Sequence, residues 1–388
     1  MVRPIGGAII GKLGDTQGRK SALETSILLM AFPTFALGCL PTFSQVGWFA
    51  PIFLIVLRLI QGLSVGGQLM SSVVFTLERS GDKDMKNWGV WASSVFAAAT
   101  VGTVVGSMLS YILRAKLTDE QLLEYGWRIP FLFGALGVIP GAYLKYRASD
   151  HPISDDPGGQ QTSATGTMKR SDTLTETFGT SNRRALIASA LVPCLPAATY
   201  YITFVWLAIF METLADPPVP HAFAITSMVG FLAIFANFIG GYIADYIGRR
   251  SLVMVVTATL IGIIGPIILY GIASTSDPYV AFGGQISLGL LLAIWNGAML
   301  PWMVTQFPKH LRLTSMNIGY NLAVGICGGF SPAIATILVD RVSAFSPGLI
   351  LTILSVVSIF GIYLGSTGGG SSTGGVEMTP PSNLSSVV

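Results

Sequence analysis

The chain reads as a succession of long apolar runs separated by short polar turns. A membrane span needs about 20 apolar residues, and runs of that order recur. A partial run covers 1–11, and full ones cover 22–43, 50–77, 88–112 and 128–146. After a hydrophilic stretch at 147–184 the pattern resumes at 185–211, 222–244, 252–273, 279–305, 313–339 and 345–365. These runs are too long for strands and predict an all-α membrane protein of eleven spans, the first one short. The organisation expected is an N-terminal bundle over 1–146, a flexible linker over 147–184, a C-terminal bundle over 185–365 and a disordered tail over 366–388.

Composition points the same way. Of 388 residues, 51% are hydrophobic and 11% charged, against about 25% charged in average globular chains. Mean hydropathy is +0.65. Net charge is +3, with no basic–aromatic patch, so nucleic acid is not an expected partner; a lipid bilayer is. Cys39, Cys194 and Cys327 lack disulfide or zinc spacing and read as small apolar residues. His151, His221 and His310 fall far apart, in or next to loops. No nucleophile–base or metal constellation emerges, so neither an enzyme nor a cofactor is expected. The N-terminus has no signal-peptide pattern.

Sixteen of the 22 Lys and Arg fall in loops on the side reached after the first span. The other six are Arg3, Arg58, Arg114, Lys116, Arg128 and Arg341, assigned to the opposite side or, for Arg58, to a span. The positive-inside rule makes the rich side cytoplasmic, with the linker and C-terminus on it. The sequon at Asn383 is then expected to be unused.

One polar turn occurs twice. "GKLGDTQGRK" at 11–20 matches "GYIADYIGRR" at 241–250, so that Gly11, Asp15, Gly18 and Arg19 align with Gly241, Asp245, Gly248 and Arg249. A phosphate-binding loop also fits the spacing of Gly6, Gly11 and Lys12, but Leu13 stands where a magnesium-binding hydroxyl is needed and no strand precedes it. Duplication explains the repeat, and a nucleotide site does not. Gly11 and Gly241 permit close helix approach, while Gly18 and Gly248 permit positive φ. Asp15 and Asp245 can pair with a neighbouring arginine or cap a helix N-terminus. Two readings stay open: anchoring by positive charge, or an inner gate latch in which Glu78 answers Arg19. Two spans precede the second copy (185–240) and only ten residues the first (1–10). A complete first half would therefore need one more helix and the start of the next.

Two halves, a central linker and these turns resemble the major facilitator superfamily. "RLIQGLSVGGQ" at 58–68 is similar to that superfamily's fourth-helix pattern R-x-x-Q-G. "RPIGGAIIGKLGDTQGRK" at 3–20, "LER" at 77–79, "GWRIPF" at 126–131, "FPKHLR" at 307–312 and "GYNLAVGICGG" at 319–329 resemble its metabolite:proton symporter branch, which handles proline/betaine, α-ketoglutarate, shikimate and citrate. The resemblance spans residues 3 to about 365. It implies a two-bundle secondary transporter, a monomer in the plasma membrane, moving a small polar metabolite, zwitterion or organic acid together with a proton. Two positions depart from the branch: Gln68 and Gln306 stand where many members carry Glu, and each swap removes a candidate proton carrier. A non-coupled facilitator and a transport-inactive truncated product or receptor are the alternatives.

Polar groups inside the spans are candidates for the substrate or proton site. A basic residue at the depth of Arg58 costs several kcal/mol unless it faces the bundle interior. It is either a structural arginine satisfied by carbonyls and Gln61, or a cavity group that attracts a carboxylate. Gln61 and Gln68 share its span. Asn296, Tyr320 and Asn321 are either cavity liners or interhelical glue, while Asn237, Gln285 and Asn317 are read as hydrogen-bonding between helices. Tyr200, Tyr201 and Trp206 either cage a cationic head group or pack. Ser94, Ala98, Gly102 and Gly106 form a small-residue stripe expected to pack against a helix.

Overall fold

The computed structural model describes residues 2–80, 82–147, 173–180 and 182–368. They form α1 (Arg3–Gln17), α2 (Arg19–Gly38), a short α3 (Phe43–Val46), α4 (Phe49–Ser80), α5 (Trp88–Lys116) and α6 (Leu122–Leu144). A short α7 (Thr173–Thr177) precedes α8 (Arg183–Leu214), α9 (Ala222–Ile247), α10 (Arg250–Thr275), α11 (Pro278–Thr305), α12 (Arg312–Arg341) and α13 (Pro347–Gly368). No strand occurs among the described residues. Among the described residues ten helices are long and apolar enough to cross a membrane. The fifteen-residue α1 falls below that length, so the expected eleven spans are ten and a shorter helix. Helix is the form a lipid solvent demands, because each helix satisfies its own backbone polar groups.

Burial is inverted relative to a water-soluble protein. Phe32 and Val356 lie open at the surface, while Gln285 and Asn317 are fully buried. In lipid that apolar surface is the solvent-matched one. The core is concentrated in the second half: in their most apolar windows α8 and α11 are each 72% buried, against 6% for α5 and α6. Trp206, Trp295 and Phe210 fill it. Two helices there are irregular. Helix α8 breaks at Val192 and Pro193 and has π-helical turns at Ile202–Trp206 and Phe210–Leu214; α12 has one at Val324–Gly328. Such turns are frequent at functional sites.

The two halves meet along two seams, α1 and α4 against α12, and α5 against α9. At each seam the repeated glycine lets the two backbones approach closely. A Cβ on Gly11 would sit 2.6 Å from Thr314 Cα, and one on Gly241 would sit 2.6 Å from the Gly89 carbonyl oxygen. Gly6 and Gly11 thus lie inside helix α1, which disposes of a phosphate-binding loop.

Several boundaries differ from the sequence reading. Helix α2 ends at Gly38 and not at 43, because Pro41 disfavours helix at the residue before it and Thr42 opens α3 with a capping box completed by Gln45. Part of the stretch read as flexible linker is helical: α7 packs on α1 and α12 with Thr177 buried, and Glu176 meets His310 at 3.0 Å. Helix α13 continues to Gly368, into the region read as tail. Residues 148–172, 181 and 369–388, with His151 and Asn383, lie outside the described residues. The small-residue stripe is also corrected. Nothing lies within 4 Å of a Cβ built on Gly102 or Gly106; the face that α9 takes is that of Gly89 and Ser93. Small residues four apart recur on more than one face of α5, and only the partner's shape selects among them.

Candidate functional site

The first repeated turn builds a polar cluster between the halves. Helix α1 ends at Gly18, whose φ of 106° is open to glycine at little cost, and this places Asp15 against the start of α12. The buried Asp15 carboxylate accepts from the backbone N–H of Leu313 (3.2 Å) and of Thr314 (2.8 Å) and from the Thr314 hydroxyl (2.6 Å). It caps a helix of the other half, where the N-terminal dipole favours a negative charge. Arg19 pairs with Asp15, donates to Glu78 Oε2 at 3.1 Å and reaches the Lys309 carbonyl oxygen at 2.6 Å. Glu78, at the end of α4, also accepts from Arg312 at 2.9 Å. One carboxylate from each of α1 and α4 is therefore tied to α12.

The second copy does the same with fewer groups. Asp245 accepts from the backbone N–H of Gly89 (2.8 Å) and of Val90 (2.9 Å), capping α5. Arg250 stands 3.9 Å from Asp245, donates to the Met85 carbonyl oxygen at 2.9 Å and lies over the Trp88 ring. Arg249, which aligns with Arg19, is exposed and makes no ion pair among the described residues. Beside Asp245 it is Arg250, and not Arg249, that stands where Arg19 stands beside Asp15. The cause is local. After Gly18 the next helix starts at once with Arg19, whereas Gly248 is left-handed (φ 71°), Arg249 is non-helical and α10 begins at Arg250. Since α4 ends and α5 begins at these two clusters, both lie on one face.

Further from that face, α1, α4 and α12 meet at a polar junction. A Cβ on Gly66, midway along α4, would lie 2.1 Å from the Arg3 carbonyl oxygen. Arg3 therefore sits at mid-depth, not in an outer loop as its place ahead of the first turn suggested. Asn321 donates through Nδ2 to the Gly66 carbonyl oxygen, across the seam, and to that of Asn317 at 2.7 Å. Tyr320 is buried, and Tyr201 packs against α12, its ring 2.9 Å from a Cβ built on Gly328. Tyr200 and Tyr201 touch edge to face with centroids 5.6 Å apart, and Tyr200 also meets Phe204.

The other candidates are dispersed. Arg58 is exposed, with its guanidinium 5.9 Å from the centre of the Phe131 ring. Gln61 is buried within the first half and donates to the Thr34 hydroxyl at 2.8 Å. Gln68 is half-buried. Asn296 is buried beside Gly297, whose Cβ would touch Gly241 at 2.7 Å. Gln285 bonds Thr203 and Thr226 and acts as glue between helices. Trp206 is packing, donating to Thr336 at 3.0 Å and stacking on Phe210. An apolar cavity of about 200 Å³ beside Val229, Ala233 and Gly289 offers nothing to a polar solute. No metal-binding cluster occurs among the described residues. Sequence reasoning missed Arg3, Arg250, Arg312 and Thr314; a Thr two residues into a predicted helix opposite a conspicuous Asp was the available signal for the last.

Comparison with known proteins places these features in a family. A profile described as Major Facilitator Superfamily matches residues 4–318. The proline/betaine transporter of Salmonella typhimurium is 26% identical over 363 residues, covering 92% of this chain and 71% of that protein. A Staphylococcus aureus protein provisionally named a proline/betaine transporter is 29% identical over 360 residues, covering 92% and 74%. Among solved structures, the proton:xylose symporter XylE superposes with a TM-score of 0.69 at 14% identity, covering 93% of this chain and 83% of that one.

Proposed function

The chain belongs to the major facilitator superfamily, and from that premise we propose that it is a secondary transporter moving a small polar metabolite, zwitterion or organic acid by alternating access, coupled to a proton. The observation that carries this reading is the pair of latches. Two bundles tied on one face by reversible polar contacts, at positions repeated 230 residues apart (11 and 241), are what a rocking mechanism needs for its outward-facing state. Opening inward would break both caps together, and solute binding would bias the two states by its differential affinity for them. The named relatives favour a zwitterion of the proline/betaine kind.

In this proposal the latched face is cytoplasmic and the membrane is the plasma membrane, following the Lys and Arg distribution. The first bundle comprises residues 1–146, the second 185–365, and the transporter acts as a monomer. Asp15, Arg19, Glu78 and Asp245 hold the gate, and Tyr320 and Asn321 line the pathway.

A non-coupled facilitator is the second reading, and one observation favours it. The acidic residues in the described spans all fall within about six residues of a helix end, and Gln68 and Gln306 replace carboxylates at two further positions. Uptake of proline and glycine betaine into proteoliposomes, with pH and sodium gradients imposed in turn, decides between them. Proton symport predicts accumulation driven by an inward proton gradient and abolished by a proton ionophore. Equal uptake under all gradients would leave the facilitator.

A further inference from the structure

The junction of α1, α4 and α12 holds more polar groups than partners. Asn317 is fully buried, and neither its amide nitrogen nor its amide oxygen has a hydrogen-bond partner. Asn321 commits its nitrogen to two carbonyls and leaves Oδ1 unpartnered. Arg3 Nε is buried without a partner, and no ion pair involves Arg3 among the described residues. These groups are neighbours. A Cβ on Gly7, one turn along α1 from Arg3, would lie 2.9 Å from Asn321 Nδ2 and 3.2 Å from Asn317 Cβ. Orphaned buried polar groups are uncommon in folded proteins, and an unpaired cation within the membrane is rarer still.

Resting on the transport reading above, we propose that Arg3 anchors a carboxylate of the transported solute, with Asn317 and Asn321 completing its hydrogen bonds and Tyr200 and Tyr201 flanking the solute's other end. The guanidinium fork matches a carboxylate in a bidentate way that an ammonium does not. The carboxylate on the same helix, Asp15, is committed to capping α12, and no described carboxylate pairs with Arg3, so this assignment gives the negative charge to the ligand. The Asn amides supply donors for the same oxygens, and the tyrosine faces suit an apolar or cationic end. Arg3 belongs to the first half and Asn317, Tyr320 and Asn321 to the second. A solute held here bridges the seam between the halves, and the π-helical turn at Val324–Gly328 begins three residues further along α12 than Asn321. Arg58, the arginine singled out by motif, lies instead over Phe131.

The test uses the purified full chain and Arg3→Gln and Arg3→Lys variants, each checked for monodispersity, with equilibrium binding and uptake measured side by side. The carboxylate probes are proline, glycine betaine and α-ketoglutarate; the controls are prolinol and choline, which lack the carboxylate. The assignment expects at least one carboxylate probe to bind wild type about 30-fold or more tighter than Arg3→Gln, as for loss of a charge-assisted pair. Arg3→Lys should recover part of the loss, and the controls should not discriminate between the variants. A carboxylate probe that is bound and moved equally by wild type and Arg3→Gln overturns the role of Arg3 and leaves the transport reading standing. Wild type that binds none of the carboxylates yet moves prolinol or choline overturns the solute class itself.

Discussion

The two turns proposed as latches come from one sequence pattern and differ in what surrounds the aspartate. Asp15 takes three donors from α12 and pairs with Arg19, while Glu78 ties Arg19 to Arg312. Asp245 takes two backbone donors from α5, with Arg250 at a looser 3.9 Å. The end of α11, which corresponds to the end of α4, carries Gln306 bonded back to Trp302 instead of a carboxylate. The cap is common to both copies and the ion-pair network is not. Any helix N-terminus presents free N–H groups to an acceptor, so a cap survives divergence of its partners. A side-chain network needs each residue in register, and the one-residue delay after Gly248 is enough to exchange Arg249 for Arg250. The first seam should therefore hold the closed face more tightly than the second.

The strongest way to break this comparison is Asp15→Asn. It removes the charge from a buried site holding Arg19 and three donors, and uptake should fall about tenfold or more while solute affinity stays within about threefold. Matching loss of affinity would show that Asp15 shapes the binding site and is no latch. Glu78→Gln comes next. It leaves Arg19 and Arg312 converging without a carboxylate between them, and uptake should fall about fivefold, with cysteine probes on the latched face labelling faster. Asp245→Asn should cost about threefold, since only a cap and a long ion pair are weakened; a loss equal to that of Asp15→Asn would erase the asymmetry. The smallest effect sharpens the register argument. Arg250→Ala should lower uptake about twofold and Arg249→Ala should leave it unchanged, as expected for a weak, partly exposed pair. The reverse order would mean that alignment of the repeat, and not the helix start, decides the partner.

The repeat was legible because turn glycines and capping aspartates act within a few residues of themselves. Gly18 and Gly248 have the positive φ their positions suggested, and Gly11 and Gly241 make the close approaches. The polar junction was not legible. Arg3 looks peripheral when counted from the start of the chain, and its depth follows only from its contact with Gly66 on another helix. Asn317 resembled any other intramembrane amide until its lack of partners was visible. Arg58 matched a motif but is exposed beside Phe131.

By itself the sequence determined that this chain is helical, lipid-embedded and doubled. In a solvent that offers the backbone no hydrogen bonds, each long apolar run must satisfy its own, and that outcome needs no distant contact. Only the tertiary structure decided which faces meet, which arginine answers each aspartate and which polar groups converge at mid-depth. Lipid tails are as apolar as the helix surfaces they cover, so hydrophobicity does not distinguish one face from another; shape and a few directional polar contacts do.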